Sequence, residues 1–267
     1  MSTNAALTQA LPASVPVWTM SRDRLLNAYL QEARSECLRY LRTPSFLLPT
    51  LLFPSVFYLM FGIFLAHANG PGAPRYLLAS YVTFGVMAPG LFGFGVSLAL
   101  ERDNGLLALK RALPMPPGAY LLAKMLMATL VAAVIALILL GMAVFLAHVD
   151  LRAGQMLALF ATAVLGVLPF CAMGLWLGTL IKGQGAPGLV NLVYLPMAFL
   201  SGLWFPLPLL PNILQRIAPV WPSYHLDQLA MAAVGMNQGA LLPHALTLVG
   251  FAAVFLLLAT RRLRRHG

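Results

Sequence analysis

The sequence predicts an all-α membrane protein with six transmembrane helices, and three observations lead there. Six apolar stretches are each long enough to cross a bilayer, hydrophobic residues make up 60% of the 267-residue chain against 9% charged, and the cations between the stretches gather on one side. A soluble domain lies nearer half apolar and a quarter charged, so this composition belongs to a membrane protein.

Taken in order, residues 1–20 hold neither Lys nor Arg nor a long apolar core. That excludes a secretory signal peptide and reads 1–21 as a cytoplasmic tail. Residues 22–43 read as an amphipathic elbow helix. Leu26, Leu30, Ala33, Cys37 and Leu41 recur at helical spacing, with Glu32, Glu36 and Arg39 on the other face, and Pro44 stops the helix. Such a helix suits the inner leaflet, although an ordinary membrane-proximal helix fits the same pattern.

The six-span domain covers 44–264, with spans at 45–66, 77–100, 119–147, 155–181, 189–205 and 241–260. Roughly 20 residues, rising about 1.5 Å each, cross a hydrocarbon core of about 30 Å. The third and fourth spans exceed this and should tilt or overhang, while 189–205 is at the short end.

Lys and Arg remain on the cytoplasmic side of a membrane protein. Fourteen of the 17 lie before the first span, between spans two and three or, as Lys124, just inside span three, after span four or after span six, and only Arg75, Arg152 and Arg216 lie on the other side. Both termini are therefore expected in the cytoplasm. The same bias explains the formal charge of +10 without nucleic acid, because the cations flank spans and form no continuous patch.

Between spans two and three, Glu101, Arg102 and Asp103 open a segment that passes Gly105 into a short helix with Leu106, Leu109 and Leu113 on one face. Pro114, Pro116 and Pro117 then stop it. This helix can present a face to a partner below the membrane, and composition alone fits a solvated connector equally well. On the other side, Pro206, Pro208, Pro211, Pro219 and Pro222 break the segment 201–239 into pieces, with short helices expected at 207–217 and 224–233. Trp204, Trp221 and Tyr224 suit an interfacial belt, so the segment reads as an outer gate or cap that dips into the leaflet.

Several chemistries are missing. No Asp or Glu lies mid-span, which disfavours ion-coupled transport. Residues 183–188 are glycine-rich but lack the Lys and hydroxyl of a phosphate loop, and read as a tight turn. His67, His148, His225, His244 and His266 are scattered without a two-His helical motif, so no metal site is expected. His225 with Asp227 could be drawn as an acid–base pair, though a polar pair at the interface is the plainer reading. Cys37 and Cys171 do not suggest a disulfide. Gly174 and Gly178, and Gly93 with Ser97, have the spacing of close helix contacts.

Two stretches together resemble the membrane (permease) subunit of ABC exporters of the type-2 permease family. One runs from Glu101-Arg102 and Gly105 through Lys110-Arg111, Pro114 and Pro116 to Lys124. The other runs from Phe199 through Ser201-Gly202-Leu203-Trp204-Phe205-Pro206 to Pro211, Pro219, Pro222 and Tyr224. The resemblance covers roughly residues 22–264. It implies that Glu101, Arg102, Asp103, Gly105, Leu109, Lys110 and Arg111 couple the chain to a cytoplasmic ATPase, and that Ser201, Gly202, Phe205, Pro206, Pro211, Pro219 and Tyr224 form an outer gate of re-entrant helices. It also implies two copies of that ATPase, which binds ATP and Mg while this chain binds no cofactor, and a second permease subunit forming a homodimer or a pair with a close relative. The location implied is the bacterial plasma (inner) membrane. The cargo implied is a lipophilic drug, glycolipid or polysaccharide, with Phe92, Phe94, Phe199 and Phe205 as candidates to line its path. The alternatives left open are a polytopic lipid-modifying enzyme, whose convergent acidic, His or Ser/Cys groups the spans do not supply, and a non-transporting scaffold or sensor.

Overall fold

The computed structural model describes residues 21–70, 72–112 and 116–266. The expected tail at 1–20, Leu113 and Pro114, and the side chain of Arg111 lie outside the described residues. Among the described residues every regular element is helical. Apart from one turn of helix at Ala66–Asn69 and three 3-10 turns, these are in order α1 (Arg22–Leu41), α2 (Pro44–Phe64), α3 (Ala73–Asp103), α4 (Leu106–Ala112), α5 (Pro117–Phe145), α6 (Ala153–Leu180), α7 (Ala186–Leu200), α8 (Asn212–Ile217), α9 (Pro222–Ala233) and α10 (Leu241–His266).

Five of them, α2, α3, α5, α6 and α10, are long and apolar enough to cross a membrane. The chain is thus a multi-pass membrane protein. The stretch expected as a fifth crossing at 189–205 is helical only as α7, whose 15 residues reach about 22 Å at the usual rise before the backbone turns at Ser201–Phe205. Gly202, with φ of +82°, makes that turn.

The bundle is built around α3. About nine-tenths of its apolar window (89%) is buried, against 6% for α10, so α3 is the axis and α10 faces outward. On α5, Leu122, Leu126, Leu130, Val134 and Leu137 recur every three or four residues and are all exposed. Such a stripe would drive aggregation in water, and in a bilayer it is the lipid-facing surface.

Close packing of α3 on α6 depends on backbone contact. A Cβ on Gly174 would lie 2.4 Å from the Gly90 carbonyl oxygen, so no other side chain fits without moving the helices apart. At this contact α3 widens into a π-helical stretch at Leu91–Val96, whose Gly95 also lies against Gly174. Inside α2, Pro49 and Pro54 remove backbone donors, and the Thr50 and Ser55 hydroxyls donate to the Phe46 and Leu51 carbonyls, each at 2.7 Å.

The proline-broken segment forms the two helical pieces expected of it. A 3-10 turn at Leu207–Leu209 precedes α8, and a second at Ala218–Val220 leads into α9, which packs on α3, α6 and α10. The 183–188 stretch is a 3-10 turn at Gly183–Gly185, followed by the start of α7.

Candidate functional site

At one end of the bundle three acids and three bases form a closed network. Glu32, Glu36 and Arg39 lie three and four residues apart on α1, so they share one face. That face turns inward, and Leu26, Leu30 and Leu41 are left exposed. Lys124, two turns into α5, supplies the central cation. It is 0% exposed, and its Nζ lies 2.8 Å from Glu101 Oε1, 3.2 Å from Glu36 Oε2 and 2.5 Å from Ser97 Oγ. Arg39 reaches Glu101 at 2.5 Å and Glu36 at 2.6 Å. The Tyr120 hydroxyl donates to Glu101 Oε2 at 2.6 Å. From α4, Lys110 pairs with Glu32 at 2.5 Å and with Glu36 at 3.1 Å, and its ammonium lies 4.6 Å from the centre of the Tyr120 ring.

Burial opposes the charge on Lys110, but its hydrogen bond to Glu32 and the field of Glu36 outweigh it and hold the ammonium above its ordinary range. Taking Glu32, Glu36, Glu101 and Lys124 out of water costs several kcal/mol per ion, and only pairing and hydrogen bonding of each offsets that. Here each carboxylate meets at least one cation. Such a network adds little net stability, but it fixes one arrangement of the helices that carry it. It binds α1, the end of α3, α4 and the start of α5 into a unit. No carboxylate is free to act as a base, and among the described residues no three His, Cys, Asp or Glu gather as metal ligands.

The other residues expected at this end have different positions. Arg102 turns sideways and donates to the Thr179 and Ile181 carbonyls at 2.9 and 2.8 Å. Asp103 accepts from the Gly183 amide at 2.5 Å. Together they staple the end of α3 to the end of α6. Gly105 stands at φ +72° with open space around it, which lets the chain break between α3 and α4. Leu109 is exposed, so it is the expected residue that faces outward, whereas Glu101 and Lys110 face inward.

Beside the network lies an apolar groove of about 600 Å³, walled by Phe53 and Phe57 of α2, Phe84 and Phe92 of α3, Tyr194 of α7 and Trp204. Phe84 stacks on Tyr194 at 5.0 Å and Phe92 meets it edge-on at 5.5 Å. A smaller cavity of about 310 Å³ adjoins it, with Arg39, Ser97, Glu101 and Asn104 in its wall, and Phe46 and Phe92 belong to both. Of the expected path residues, Phe92 lines the groove. Phe94, 1% exposed, points into the core. Phe199 and Phe205 pair with each other at 6.3 Å. Ser201 meets Ser223 of α9 through their hydroxyls. The Pro219 carbonyl bonds His225 Nε2 at 2.9 Å, and the Tyr224 ring packs against His225 and His244. His225 therefore finds His244, at 2.8 Å between their Nδ1 atoms, and not Asp227.

The sequence profile of the ABC-2 type transporter family matches residues 29–234, a stretch that takes in the network, the groove and the segment after α7. The chain belongs to the ABC-2 type transporter family. It is 26% identical over 237 residues to YvfS of Bacillus subtilis (strain 168), which is named as a transport permease, with 88% of this chain and 96% of that one covered. It is 29% identical over 182 residues to the inner membrane transport permease YhhJ of Escherichia coli (strain K12), covering 64% of this chain but only 46% of YhhJ, about half its length. ABC-2 membership makes the chain a transport permease and implies association with an ABC ATPase.

Within this ABC-2 chain, the sequence does not by itself single out Glu32, Glu36, Arg39, Ser97 or Tyr120 as members of the ion network. Two signals could have found them. Lys124 is a cation within an apolar stretch, which demands an anion nearby, and Glu32, Glu36 and Arg39 keep helical spacing on a helix that carries Leu26, Leu30 and Leu41 away from them.

Proposed function

We propose that the chain is the membrane subunit of an ATP-driven exporter in which α4 receives the movement of a docked ATPase and passes it through the ion network to α1, α3 and α5. The observation that carries this is Lys110, which ties α4 to Glu32 and Glu36 on a helix more than 70 residues away in sequence. A solvated connector would not carry a half-buried ion pair over that separation. Leu109 and the rest of the outward face of α4 form the contact with the ATPase. Two ATPase copies, each with ATP and Mg, serve two copies of this chain.

The topology has six crossings with both termini in the cytoplasm. The cation asymmetry supports this, and α7 supports it too, since it runs from the turn beside Asp103 to the Ser201–Ser223 contact at the opposite end. Residues 201–205 make up its shortfall in length. The exposed leucines of α1 suit an elbow lying on the inner leaflet, and α8 with α9 is the re-entrant outer pair. The name of YhhJ places that relative in the inner membrane, and we carry that location over to this chain.

The groove is the path, and its form favours a lipophilic drug or glycolipid over a polysaccharide. A mostly apolar cavity with Arg39, Ser97 and Glu101 in its wall adjoins the aromatic groove, which fits an amphiphile with a small polar end. The reading is tested by expressing the chain with an ATPase subunit and purifying the complex. The ATPase is expected to come with the wild-type chain and to be lost from Leu109→Asp without a change in melting temperature. No complex with the wild-type chain, or an undiminished complex with the variant, contradicts it.

A further inference from the structure

The end of the bundle remote from the ion network holds a buried acid without a base. Asp227 on α9 is 2% exposed, and its Oδ1 has no hydrogen-bond partner. Ser80 and Thr83 on α3 are equally buried; the Thr83 hydroxyl oxygen is unpartnered too, and the Ser80 hydroxyl faces the Asp227 carboxyl. They lie three residues apart and share a helix face with Tyr76, whose hydroxyl donates to the Gly202 carbonyl at 3.0 Å. One turn before Asp227 on α9, Ser223 shares its hydroxyl hydrogen bond with Ser201. A polar seam thus runs between α9, α3 and the end of α7, with Asp227 and Ser80 at its centre and one Asp227 oxygen unsatisfied.

Nothing packed around α9 neutralises this carboxyl. On α3 the titratable neighbour is Tyr76, and Arg75 is occupied with the Asp150 carbonyl. Facing α6 holds no Asp, Glu, Lys, Arg or His, and its Cys171 is buried. On α10, His244 is engaged with His225, and beyond the 3-10 turn at Ala218–Val220 the Arg216 side chain is exposed. Among the described residues no Lys or Arg forms an ion pair with Asp227. An ionised carboxylate left bare in such a place is so costly that the group takes up a proton instead.

We propose that Asp227 is a proton-binding site: the neutral acid seats α9 against α3 beside Ser80, and loss of the proton releases α9 from the bundle. Burial pushes the carboxyl up to about 8, and the Ser80 hydroxyl, which favours the ionised form, limits the rise. The unfolded chain gives up the same proton near the ordinary Asp value of about 3.9. The group's stabilisation is therefore complete below that value, declines as pH rises toward 8 and is level above it. On the six-crossing topology the site lies at the outer face and senses the pH outside. Only its sidedness rests on that reading; the chemistry of the site does not.

The test uses the full-length chain in lipid nanodiscs, without the ATPase, from about pH 5 to about pH 10, which brackets the ordinary and raised values. Infrared spectra report the carbonyl band of a protonated carboxylic acid, and amide hydrogen exchange reports how firmly α9 is held. The expected result is an acid band, present in wild type but absent from Asp227→Asn, that persists at neutral pH and fades near pH 8. As it fades, α9 of the wild type should exchange faster than α9 of Asp227→Asn at the same pH. Ser80→Ala should move the midpoint upward, a readout that stands even if Asp227→Asn fails to fold. No acid band at neutral pH, faster α9 exchange in Asp227→Asn at low pH, or a midpoint moved downward by Ser80→Ala would each overturn the proposal. Because no ATPase is present, these outcomes are separate from any failure of the exporter reading.

Discussion

Replacing Lys124 with Met keeps the length and apolar stem of the side chain and deletes one charge at the centre of the network. Lys124 is wholly buried and within 3.2 Å of Glu36, Glu101 and Ser97, so its loss leaves three carboxylates facing two cations. Removing one partner of a buried pair costs about 3–5 kcal/mol, since the remaining charge has no solvent to turn to. At roughly 2–4 °C per kcal/mol, the melting temperature should fall by roughly 6–20 °C. Adding Glu101→Gln restores the balance, with Arg39 left to serve Glu36 at 2.6 Å. The double variant should then be more stable than the sum of the single effects by about 1–3 kcal/mol. Thermal unfolding in detergent micelles, followed by tryptophan fluorescence, measures all three variants. A Lys124→Met protein melting within about 2 °C of wild type, or strictly additive losses, would refute the claim that these charges form one unit.

Three further outcomes follow from other parts of the fold. Gly174→Ala inserts a Cβ 2.4 Å from the Gly90 carbonyl oxygen, so it should cost about 1–3 kcal/mol in thermal unfolding; an unchanged melting temperature would mean that α3 and α6 do not approach so closely. Gly105→Pro forces φ from +72° to about −65° between α3 and α4, and should leave ATP hydrolysis of the assembled complex intact while abolishing efflux of a fluorescent hydrophobic dye from inverted vesicles. Dye efflux that survives with hydrolysis removes the break from the coupling path. Ile213 is exposed on α8, so a Cys placed there reacts fast with a membrane-impermeant thiol reagent if water covers it and slowly if lipid does. Slow reaction is expected for a re-entrant helix, and fast reaction would make this segment a surface loop.

The crossings were legible because hydropathy is additive along a chain. The stretches 45–66, 77–100, 119–147, 155–181 and 241–260 correspond to α2, α3, α5, α6 and α10 within a few residues. The amphipathicity of α1 was legible too, but the cations that its acidic face meets were not. In water the leucine face would turn inward, and at a bilayer Leu26, Leu30 and Leu41 can face lipid while Glu32 and Glu36 seek the bases of α4 and α5. Sequence separation hid the network, since Lys124 lies 88 residues from Glu36 and 23 from Glu101. The short α7 was misjudged in extent because Trp204 and Phe205 are as apolar as the helix before them, and only the backbone reversal at Gly202 marks its end. Asp227 looked like an interfacial residue on an outer segment. Its burial follows from the docking of α9 on α3, α6 and α10, which no local pattern encodes.

The most direct test of the transmission claim is Lys110→Met in the complex assembled with its ATPase, measuring ATP hydrolysis and dye efflux on the same vesicles. The substitution cuts α4 from Glu32 and Glu36, and the Lys124–Glu101 pair at 2.8 Å remains. Hydrolysis near the wild-type rate with efflux lost is the expected result. Efflux that stays in proportion to hydrolysis would contradict transmission through this ion pair.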